Sequence, residues 1–386
     1  KDLASEAPII KLVNMIIVRA VENRASDIHI EPCEDELKVR YRIDGILHDI
    51  ESIPKKLQAA VISRIKLTAK LNIAERRLPQ DGRIRLRVAE REIDLRISTI
   101  PILYGESVVM RILDKEGIVV DLGLIGFSQE MLQSVNQLIK RPNGIILVTG
   151  PTGSGKTTTL YAALDKINSP DKKIITVEDP VEYQLKGINQ IQVKPQIGLN
   201  FSNTLRHIVR QDPDVIMIGE TRDLETAQIA IQAALTGHLV FSTLHTNDAP
   251  SAITRLHDMG VENFLLSSTL RGILAQRLVR TICPLCKEID NSVAHVDTGA
   301  IHVDGAYKGK GCEHCSFTGY RGRIGIFELM VVDDAVRDLL LQKSDSNSLR
   351  EQARRSGMKT LMEDGVEKIK SGVTTLAELY RVTQEG

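Results

Sequence analysis

Residues 150–157 read Gly-Pro-Thr-Gly-Ser-Gly-Lys-Thr, which satisfies the pattern GxxxxGK[ST] of a phosphate-binding loop, or P-loop. An apolar run precedes the loop and a helical pattern follows it, as this mechanism requires, so an ordinary glycine-rich turn is a weaker reading. Glycines let backbone N–H groups approach phosphates, and the helix N-terminus adds partial positive charge. Lys156 is expected to reach the β- and γ-phosphates, and Thr157 to bind Mg²⁺. The predicted nucleotide-binding residues of the loop are Gly150, Pro151, Thr152, Gly153, Ser154, Gly155, Lys156, Thr157 and Thr158.

Short apolar runs alternate with helical patterns around and after this loop. The runs cover 145–148, 174–177, 215–218 and 239–242, and residues 224–235 have helical spacing. Continuous apolar runs are typical of strands buried on both faces, and strands that alternate with helices form parallel sheets. The sequence therefore predicts an α/β fold with a doubly wound, RecA-like P-loop core.

The first third of the chain has a different pattern. Residues 8–23 have helical spacing, whereas 37–43, 83–88 and 92–98 alternate between apolar and polar residues. This mixture predicts an α+β domain, which we class as PAS-like. A length of 386 residues favours two or three domains. The predicted division is an N-terminal α+β domain at 1–113, a linker at 114–128, the P-loop core at 129–282, a cysteine-rich zinc insert at 283–323 and a mostly helical region at 324–386.

One candidate catalytic carboxylate is Glu220. It ends the segment Val-Ile-Met-Ile-Gly-Glu, which is typical of a Walker B strand except that Gly219 stands where an Asp is usual. We expect Glu220 to hold Mg²⁺ through water or to polarise the attacking water. A carboxylate that merely caps the next helix is the structural alternative.

A second acidic element, Glu178, Asp179 and Glu182, follows the strand at 174–177. It is therefore expected at the carboxyl edge, where doubly wound sheets bind ligands. A solvated loop is the alternative, more so for Glu182 than for Glu178. We predict Glu178 as catalytic and leave open whether Glu178 or Glu220 is the general base.

Two histidines, His238 and His245, flank the last apolar run. Because that strand is expected to end near the nucleotide, His245 is predicted to report the γ-phosphate. For each histidine an ordinary structural role is equally open.

Arginines occur in both predicted domains. Arg83, Arg96 and Arg111 lie on or beside strands of the first domain, where most arginines simply cover a solvated face. A phosphoryl-transfer site without a nearby arginine often receives one from elsewhere. The polar side of the strand at 92–98 is expected to be free to meet another surface. Three arginines of the core could pair with the acidic loops or with phosphate, namely Arg206, Arg210 and Arg222. Arg222 is predicted to bind the nucleotide.

Four of the five cysteines form two CxxC pairs, Cys283 with Cys286 and Cys312 with Cys315. Four thiolates at this spacing predict a tetrahedral, structural Zn²⁺ site. The pairs are 25 residues apart, which is a large insert for a zinc ribbon. A redox dithiol is the alternative.

The composition limits the functional classes. Lys+Arg and Asp+Glu are both 50, and the chain has no Trp and 3% aromatic residues. This argues against a nucleic-acid translocase, which needs a basic channel and stacking aromatics. An intact set of P-loop and acidic residues argues against a non-hydrolysing nucleotide sensor. The start of the chain lacks an initiator Met and a signal-peptide pattern, and no apolar run suits a membrane span. We therefore expect a fragment or processed form. Cysteines spaced for metal binding rather than for disulfides, in a chain with a P-loop, favour the cytoplasm, where ATP is found.

The motifs together resemble the secretion ATPases of type II secretion systems and type IV pili. Four motifs stand in the family's order: GPTGSGKT, TVEDPVE, RQDPDVIMIGETRD and GHLVFSTLHTND. Four more extend the resemblance through the first domain: SDIHIEP, RYRIDGIL, RLPQDGR and DLRISTIP. The tetracysteine insert is similar to that of assembly ATPases, whereas retraction ATPases usually lack it. The resemblance implies ATP hydrolysis, with type II secretion favoured and type IV pilus extension as the alternative.

The resemblance also implies roles for residues and partners. Glu178 and Asp179 fall in the family's acidic box, and Glu220 in its Walker B element. His238 and His245 fall in its histidine box. Arg96 and Arg111 match catalytic arginines that face a nucleotide. Family members form hexameric rings in the cytoplasm beneath inner-membrane platform proteins, and they carry a further N-terminal domain that docks on the platform. The implied cofactors are ATP, Mg²⁺ and Zn²⁺, with no nucleic acid as a partner.

Overall fold

The computed structural model describes residues 7–88, 91–114, 121–290, 296–297, 302–303 and 305–384. The chain forms two compact units, Lys1–Ile118 and Val119–Gly386. The finer five-part division remains a prediction. Parts of it lie outside the described residues, namely 1–6 and 89–90 of the first domain, 115–120 of the linker, 291–295, 298–301 and 304 of the insert, and the last two residues.

The first unit is an antiparallel sheet with two helices. Its elements are α1 (Ala7–Glu22), β1 (Ala25–Pro32), β2 (Glu36–Ile43), β3 (Ile46–Pro54), α2 (Gln58–Thr68), β4 (Gln80–Val88), β5 (Arg91–Ile102) and β6 (Gly105–Asp114). The strand order is β3-β2-β1-β6-β5-β4. Asp44 and Gly45 both have positive φ in the β2–β3 turn, as the Asp-Gly signal predicts.

One face of this sheet packs on the helices. Alternate residues of β5, Ile93, Leu95 and Ile97, are buried in one core with Val61 and Ile65 of α2. Because successive side chains of a strand point to opposite faces, the arginines of β5 and its neighbours lie on the other face. The alternating patterns predict this arrangement.

The second unit contains the P-loop. Its elements are α3 (Gln129–Leu138), β7 (Gly144–Thr149), α4 (Lys156–Ile167), β8 (Ile174–Glu178), β9 (Asn189–Gln192), α5 (Phe201–Ile208), β10 (Val215–Ile218), α6 (Leu224–Leu235), β11 (Leu239–Leu244), α7 (Ala249–Asp258), α8 (Asn263–Thr269), β12 (Leu270–Ile282), β13 (Lys287–Asp290), β14 (Val296–Asp297), β15 (His302–Val303), β16 (Ala306–Gly309), β17 (Tyr320–Val331), α9 (Asp334–Leu341), α10 (Ser346–Arg355), α11 (Leu361–Lys370) and α12 (Leu376–Thr383).

The main sheet of this unit has the order β17-β12-β7-β11-β10-β8-β9. The strands β12, β7, β11, β10, β8 and β9 run parallel, and all four apolar runs of the sequence are among them. β7, β8, β10 and β11 are buried along their whole length. The predicted α/β fold with a parallel core sheet is confirmed.

The sheet also has an antiparallel edge that the sequence patterns did not predict. β17 pairs with β12 from Gly272 opposite Val331 to Ile282 opposite Tyr320, and the cysteine-rich insert lies between these two strands in sequence. Residues 320–331 are thus a strand of the main sheet, and the helices of the C-terminal region begin at Asp334.

Side-chain caps define the C-terminal helices. Asp333 and Thr375 accept hydrogen bonds from the third backbone N–H of α9 and α12, and Thr360 forms a capping box with Glu363 at α11. Among the described residues, no helix is both long enough and apolar enough to cross a membrane.

Candidate active site and metal centre

The P-loop connects β7 to α4 and needs glycine at particular points. Gly155 is the N-cap of α4 and has φ of 87°, in the left-handed region that glycine favours. A Cβ on Gly150 would lie 2.6 Å from the backbone oxygen of Gln276, on the neighbouring strand β12. The loop therefore fits closely against β12, with the N-terminus of α4 directed toward the space where phosphates would bind.

Lys156 is folded against its own loop. Its Nζ donates hydrogen bonds to the carbonyl oxygens of Gly150, at 2.7 Å, and Pro151, at 3.0 Å. Burial lowers the pKa of Lys156 to about 8, although Glu220 opposes the shift and Arg277 adds to it. A bound phosphate group would supply a negatively charged partner for this ammonium group.

His245 lies between the lysine and the Walker B carboxylate. Its Nδ1 is 3.5 Å from Nζ of Lys156, and its Nε2 is 3.6 Å from Oε2 of Glu220. Arg222 forms an ion pair with the same carboxylate, and this hydrogen bond raises the pKa of Arg222. The structure thus brings together four of the predicted site residues.

Glu178 ends β8 and is buried, with 3% of its surface exposed. Tyr161 and Thr176 donate hydrogen bonds to its carboxylate, and Nε2 of Gln190 lies 3.2 Å from Oε1. Burial raises the pKa of Glu178, against the effect of these hydrogen bonds.

A cavity of about 70 Å³ joins the acidic elements to the P-loop helix. Thr157, Glu178, Glu182 and Glu220 line it together with Asp179. Hydroxyl and carboxylate oxygens are the ligands that Mg²⁺ and its waters prefer, so this donor set fits a hydrated magnesium ion. The expectation that the acidic loop and the Walker B carboxylate meet at one edge of the sheet therefore agrees with the geometry.

The two histidines lie at opposite ends of β11, and only His245, the one predicted to report the γ-phosphate, lies next to the P-loop. His238 precedes β11, where its carbonyl accepts from Gly144 N at the start of β7, and its Nδ1 is 2.8 Å from the oxygen of Ala233. His245 follows β11, next to the P-loop. Since β7 and β11 are parallel, His238 lies at the opposite edge of the sheet.

Two of the three core arginines lie in other environments. Arg206 pairs with Glu225 of α6, and Arg210 donates to the carbonyl of Arg206, at 2.8 Å. Neither contacts the acidic residues that line the cavity, so only Arg222 takes the pairing that the sequence suggested.

Sequence reasoning missed two residues of β12. Gln276 Nε2 donates to the carbonyl of Ser154, at 2.6 Å. Arg277 Nη2 donates to the carbonyl of Asn247, at 3.0 Å, two residues after His245. These side chains fasten the P-loop and the histidine loop to one strand. Their signal in the sequence is a pair of adjacent polar residues between the apolar segments 273–275 and 278–279.

The arginines of the first unit form a row across its sheet. Arg83 of β4, Arg96 of β5 and Arg111 of β6 are directly paired in register. Arg83 pairs with Asp94, and Arg111 Nε lies 3.0 Å from Oδ1 of Asp27. Arg96 forms no ion pair with any residue in the described parts of the chain.

The polar side of β5 is less open than expected. Asp94 is 1% exposed, because Arg83 lies against it, whereas Ser98 is exposed. The part of this face that remains open carries Arg83 and Arg111, whose side chains are 50% and 64% exposed.

The four predicted ligand cysteines form one cluster. The Sγ atoms of Cys283, Cys286, Cys312 and Cys315 lie within 4.8 Å of one another, and three of their pairs are 3.8 Å apart. Sulfur atoms about 2.3 Å from a central ion in a tetrahedron are about 3.8 Å apart, so the cluster fits a zinc ion. A disulfide, at about 2.05 Å, is excluded by these distances, and no cysteine of the described residues is in one.

These features define a class of protein. A parallel sheet with a P-loop, a lysine on that loop, a strand-end glutamate and a cavity of oxygen ligands is the arrangement of a P-loop ATPase. The profile of the Type II/IV secretion system protein family matches residues 2–381. The chain belongs to this family, and it is an ATP-hydrolysing enzyme.

The relatives include both branches of that family. The chain is 58% identical over 392 residues to type II secretion system protein E of Xanthomonas campestris pv. campestris, covering 100% of this chain and 69% of the relative. It is 49% identical to the type IV pilus assembly ATPase PilB of Myxococcus xanthus, covering 97% of this chain and 68% of the relative. A solved structure of the pilus retraction motor PilT with bound ADP is similar, with a TM-score of 0.63, 29% identity and 95% of each chain covered.

Proposed function

We propose that this chain is the ATPase of a type II secretion system, in which ATP hydrolysis drives assembly of a pseudopilus. The observation that carries the enzymatic part is the convergence of Lys156, Thr157, Glu178 and Glu220 on one edge of the sheet. The type II assignment rests on the higher identity to the Xanthomonas protein than to PilB.

The nucleotide occupies the P-loop in this proposal. Its phosphates displace the carbonyl contacts of Lys156, and Thr157 binds Mg²⁺. The rest of the nucleotide extends into a cleft of about 730 Å³ that opens beside Pro151 to Ser154. The lining of that cleft includes aliphatic side chains against which a purine base would pack: Leu278, Leu361, Met362 and Val382. The similar PilT structure contains bound ADP, which supports nucleotide binding by this chain.

Glu178 and Glu220 have different roles beside the magnesium ion. Bound magnesium neutralises charge on the transferred phosphoryl group. Glu220 is held between His245 and Arg222, so it is suited to report the state of the γ-phosphate to the histidine loop. Glu178 is buried and lines the small cavity, so it is suited to orient the attacking water.

The working unit is a homo-hexameric ring in which Arg96 or Arg111 of the first unit reaches ATP. Three arginines in register concentrate positive charge on one sheet face, and a phosphate is the complementary charge. Arg96 is the leading candidate because it has no carboxylate partner among the described residues.

The tetracysteine cluster binds one structural Zn²⁺. Backbone N–H groups of Gly311 and Gly319 donate to the sulfur atoms of Cys286 and Cys315, both at 3.3 Å, which favours thiolates as ligands. All four positions of the tetrahedron are taken by protein, as in structural rather than catalytic zinc sites.

The proposed setting is the cytoplasmic face of the inner membrane, where platform proteins of the secretion machine hold the ring. Nucleic acid is not a proposed partner, because the charges are balanced and Trp is absent. Extension of a type IV pilus is the second candidate function, favoured by the identity of 49% to PilB.

Chimeras separate the two candidate functions. The matching region of the Xanthomonas protein and that of Myxococcus PilB are each replaced by this chain in strains that lack the native gene. We expect secretion to be restored in the first host and pilus extension not to be restored in the second. A Lys156→Ala version of each chimera is the control. Pilus extension without secretion would reverse the assignment.

A further inference from the structure

A single buried carboxylate, Glu178, receives hydrogen bonds from three side chains on three elements. Tyr161 of α4 donates to Oε2, and Thr176 of β8 donates to Oε1. Nε2 of Gln190, on β9, lies 3.2 Å from Oε1. A carboxylate accepts such bonds without donating any, so both oxygens are fixed in position.

Tyr161 also connects this carboxylate to the P-loop helix. It lies four residues after Thr157 in α4, so the two side chains lie on the same face of the helix, one turn apart. Tyr161 is fully buried, and its ring packs edge-on against Tyr183, with centroids 4.7 Å apart. Packing therefore holds the ring, and the hydroxyl also lies 3.4 Å from the backbone nitrogen of Glu182 and 3.3 Å from Nε2 of Gln190.

Glu178 and Thr157 line the same cavity of about 70 Å³. One water needs only about 10–15 Å³ of such space, so the cavity has room for several ordered waters. The orientation of the Glu178 carboxylate decides which of these waters it can polarise.

We propose that Tyr161 is a positioning residue for ATP hydrolysis: its hydroxyl holds Oε2 of Glu178 so that the carboxylate is oriented toward the cavity beside Thr157. Thr176 and Gln190 hold the other oxygen in the same way. This inference rests on the proposed role of Glu178 in orienting the attacking water.

The three donors are not equivalent, so the inference predicts different effects for their substitutions. Tyr161 is the one side-chain donor to Oε2 among the described residues, whereas Thr176 and Gln190 share Oε1. Removing Tyr161's hydroxyl leaves Oε2 without a donor. Removing Thr176's hydroxyl leaves Gln190 in place. The loss of activity should therefore be larger for Tyr161→Phe than for Thr176→Val.

The first experiment compares Tyr161→Phe with Tyr183→Phe in the full chain. Both variants keep the aromatic side chain and lose one hydroxyl, but only Tyr161→Phe loses a donor to Glu178. We expect kcat of Tyr161→Phe to fall about tenfold or more, the scale of one hydrogen bond to a charged group, with KM for ATP unchanged. Tyr183→Phe should keep the wild-type kcat. Equal kcat in both variants and wild type would overturn the inference.

A double-mutant cycle with Glu178→Gln tests whether the effect passes through Glu178. We expect Tyr161→Phe to cause no further loss in the Glu178→Gln background, because the group that it positions is already gone. A full additional tenfold loss would mean that Tyr161 acts independently of Glu178 and would overturn the inference. If Tyr161→Phe does not fold, the double variant Thr176→Val with Gln190→Met takes its place, because it removes both donors to Oε1. An unchanged kcat in this double variant would then overturn the inference.

The same variants distinguish a failure of the inference from a failure of the proposed function. A wild-type kcat for Glu178→Gln would remove the proposed role of Glu178, and the inference with it. A slow Glu178→Gln variant beside a fully active Tyr161→Phe variant would remove the inference alone.

Discussion

Nε2 of His245 lies 3.6 Å from Oε2 of Glu220, while Nδ1 of the same ring lies 3.5 Å from Nζ of Lys156. One imidazole thus connects the strand-end carboxylate of β10 to the lysine of the P-loop. β11, which His245 follows, lies between β7 and β10 in the sheet, so neighbouring parallel strands set this order. A γ-phosphate on Lys156 would change the charge next to the histidine and, through it, next to Glu220.

The first prediction concerns the chemical step. Glu220→Gln should still bind ATP, because the P-loop is intact, but its turnover should fall roughly 100-fold or more, the scale of removing one preorganised group from a catalytic site. Lys156→Ala should lose both binding and turnover. Phosphate release and binding of a fluorescent ATP analogue measure the two properties.

Glu225→Gln is the matched control for this prediction. Glu225 is an exposed carboxylate on α6 that pairs with Arg206 and does not line the cavity. Its variant should hydrolyse ATP at the wild-type rate. If Glu220→Gln and Glu225→Gln are equally active, Glu220 is not part of the machinery.

The second prediction concerns the metal. Purified protein should contain one Zn²⁺ per chain, and Cys312→Ser should lose it. Because a structural metal contributes folding free energy locally, the insert should become sensitive to protease while the P-loop core keeps its nucleotide affinity. Cys33→Ser, which changes a cysteine outside the cluster, is the control. A folded, active preparation without zinc would contradict this prediction.

The third prediction concerns pH and the C-terminal helix. Glu378 of α12 accepts hydrogen bonds from Arg280 and Arg381. Burial opposes its ionisation, but the two arginines outweigh burial and lower the pKa of Glu378 to about 2. Because this pKa is below the unfolded value, the ionised carboxylate stabilises the fold above about pH 4.5, and this stabilisation is lost as the pH falls toward 2.

Glu378→Gln should therefore lower the free energy of unfolding by roughly 2–3 kcal/mol at pH 7. The gap between wild type and variant should be the same at pH 7 and pH 5, and it should shrink below pH 4.5. Urea unfolding followed by circular dichroism measures it, with Glu351→Gln as an exposed control. A gap that is unchanged at pH 3.5 would contradict the assignment of the shift to this carboxylate.

Local patterns in the sequence predicted the parts of the site that follow one strand. Gly150 to Thr157, Glu178, Glu220 and His245 each come directly after a buried apolar run, and the carboxyl ends of parallel strands meet at one edge. The four cysteines were predictable because zinc requires a recognisable spacing of thiolates.

Contacts between distant segments were not predictable in this way. Gln276 and Arg277 reach the P-loop and the histidine loop only because β12 is the neighbour of β7, and strand order is not written in local periodicity. The separation of His238 from His245 has a simpler cause. A six-residue strand of roughly 20 Å separates its two ends, so two residues that bracket it cannot both face one ligand.

The strand register of the first unit's sheet could not be predicted from the sequence either. Arg83, Arg96 and Arg111 are 13 and 15 residues apart, and only the hairpin registers place them side by side. The ion pairs of two of them, Arg83 with Asp94 and Arg111 with Asp27, were not predicted either. Pairing leaves Arg96 as the member of the row without an acidic partner in the described residues.

The last prediction uses this difference. Arg96→Ala should still bind ATP, because the P-loop belongs to the other unit, but it should hydrolyse ATP about 10³-fold more slowly if Arg96 acts as an arginine finger. Arg64→Ala, on α2 and so on the other side of the same sheet, should keep the wild-type rate. Turnover per chain should rise with protein concentration until rings are complete.

Mixing two inactive variants decides whether the arginine acts between chains. Lys156→Ala chains lack a functional P-loop, and Arg96→Ala chains lack the arginine, so each is nearly inactive alone. In a mixed ring, a chain with an intact P-loop can lie beside a chain with an intact Arg96, and that site contains both groups. Activity should therefore partly return on mixing, and Lys156→Ala chains mixed with Glu220→Gln chains should give none back, because both defects lie in the same unit's site. If activity stays absent although labelled chains demonstrably co-assemble, the arginine acts within its own chain or has no part in hydrolysis.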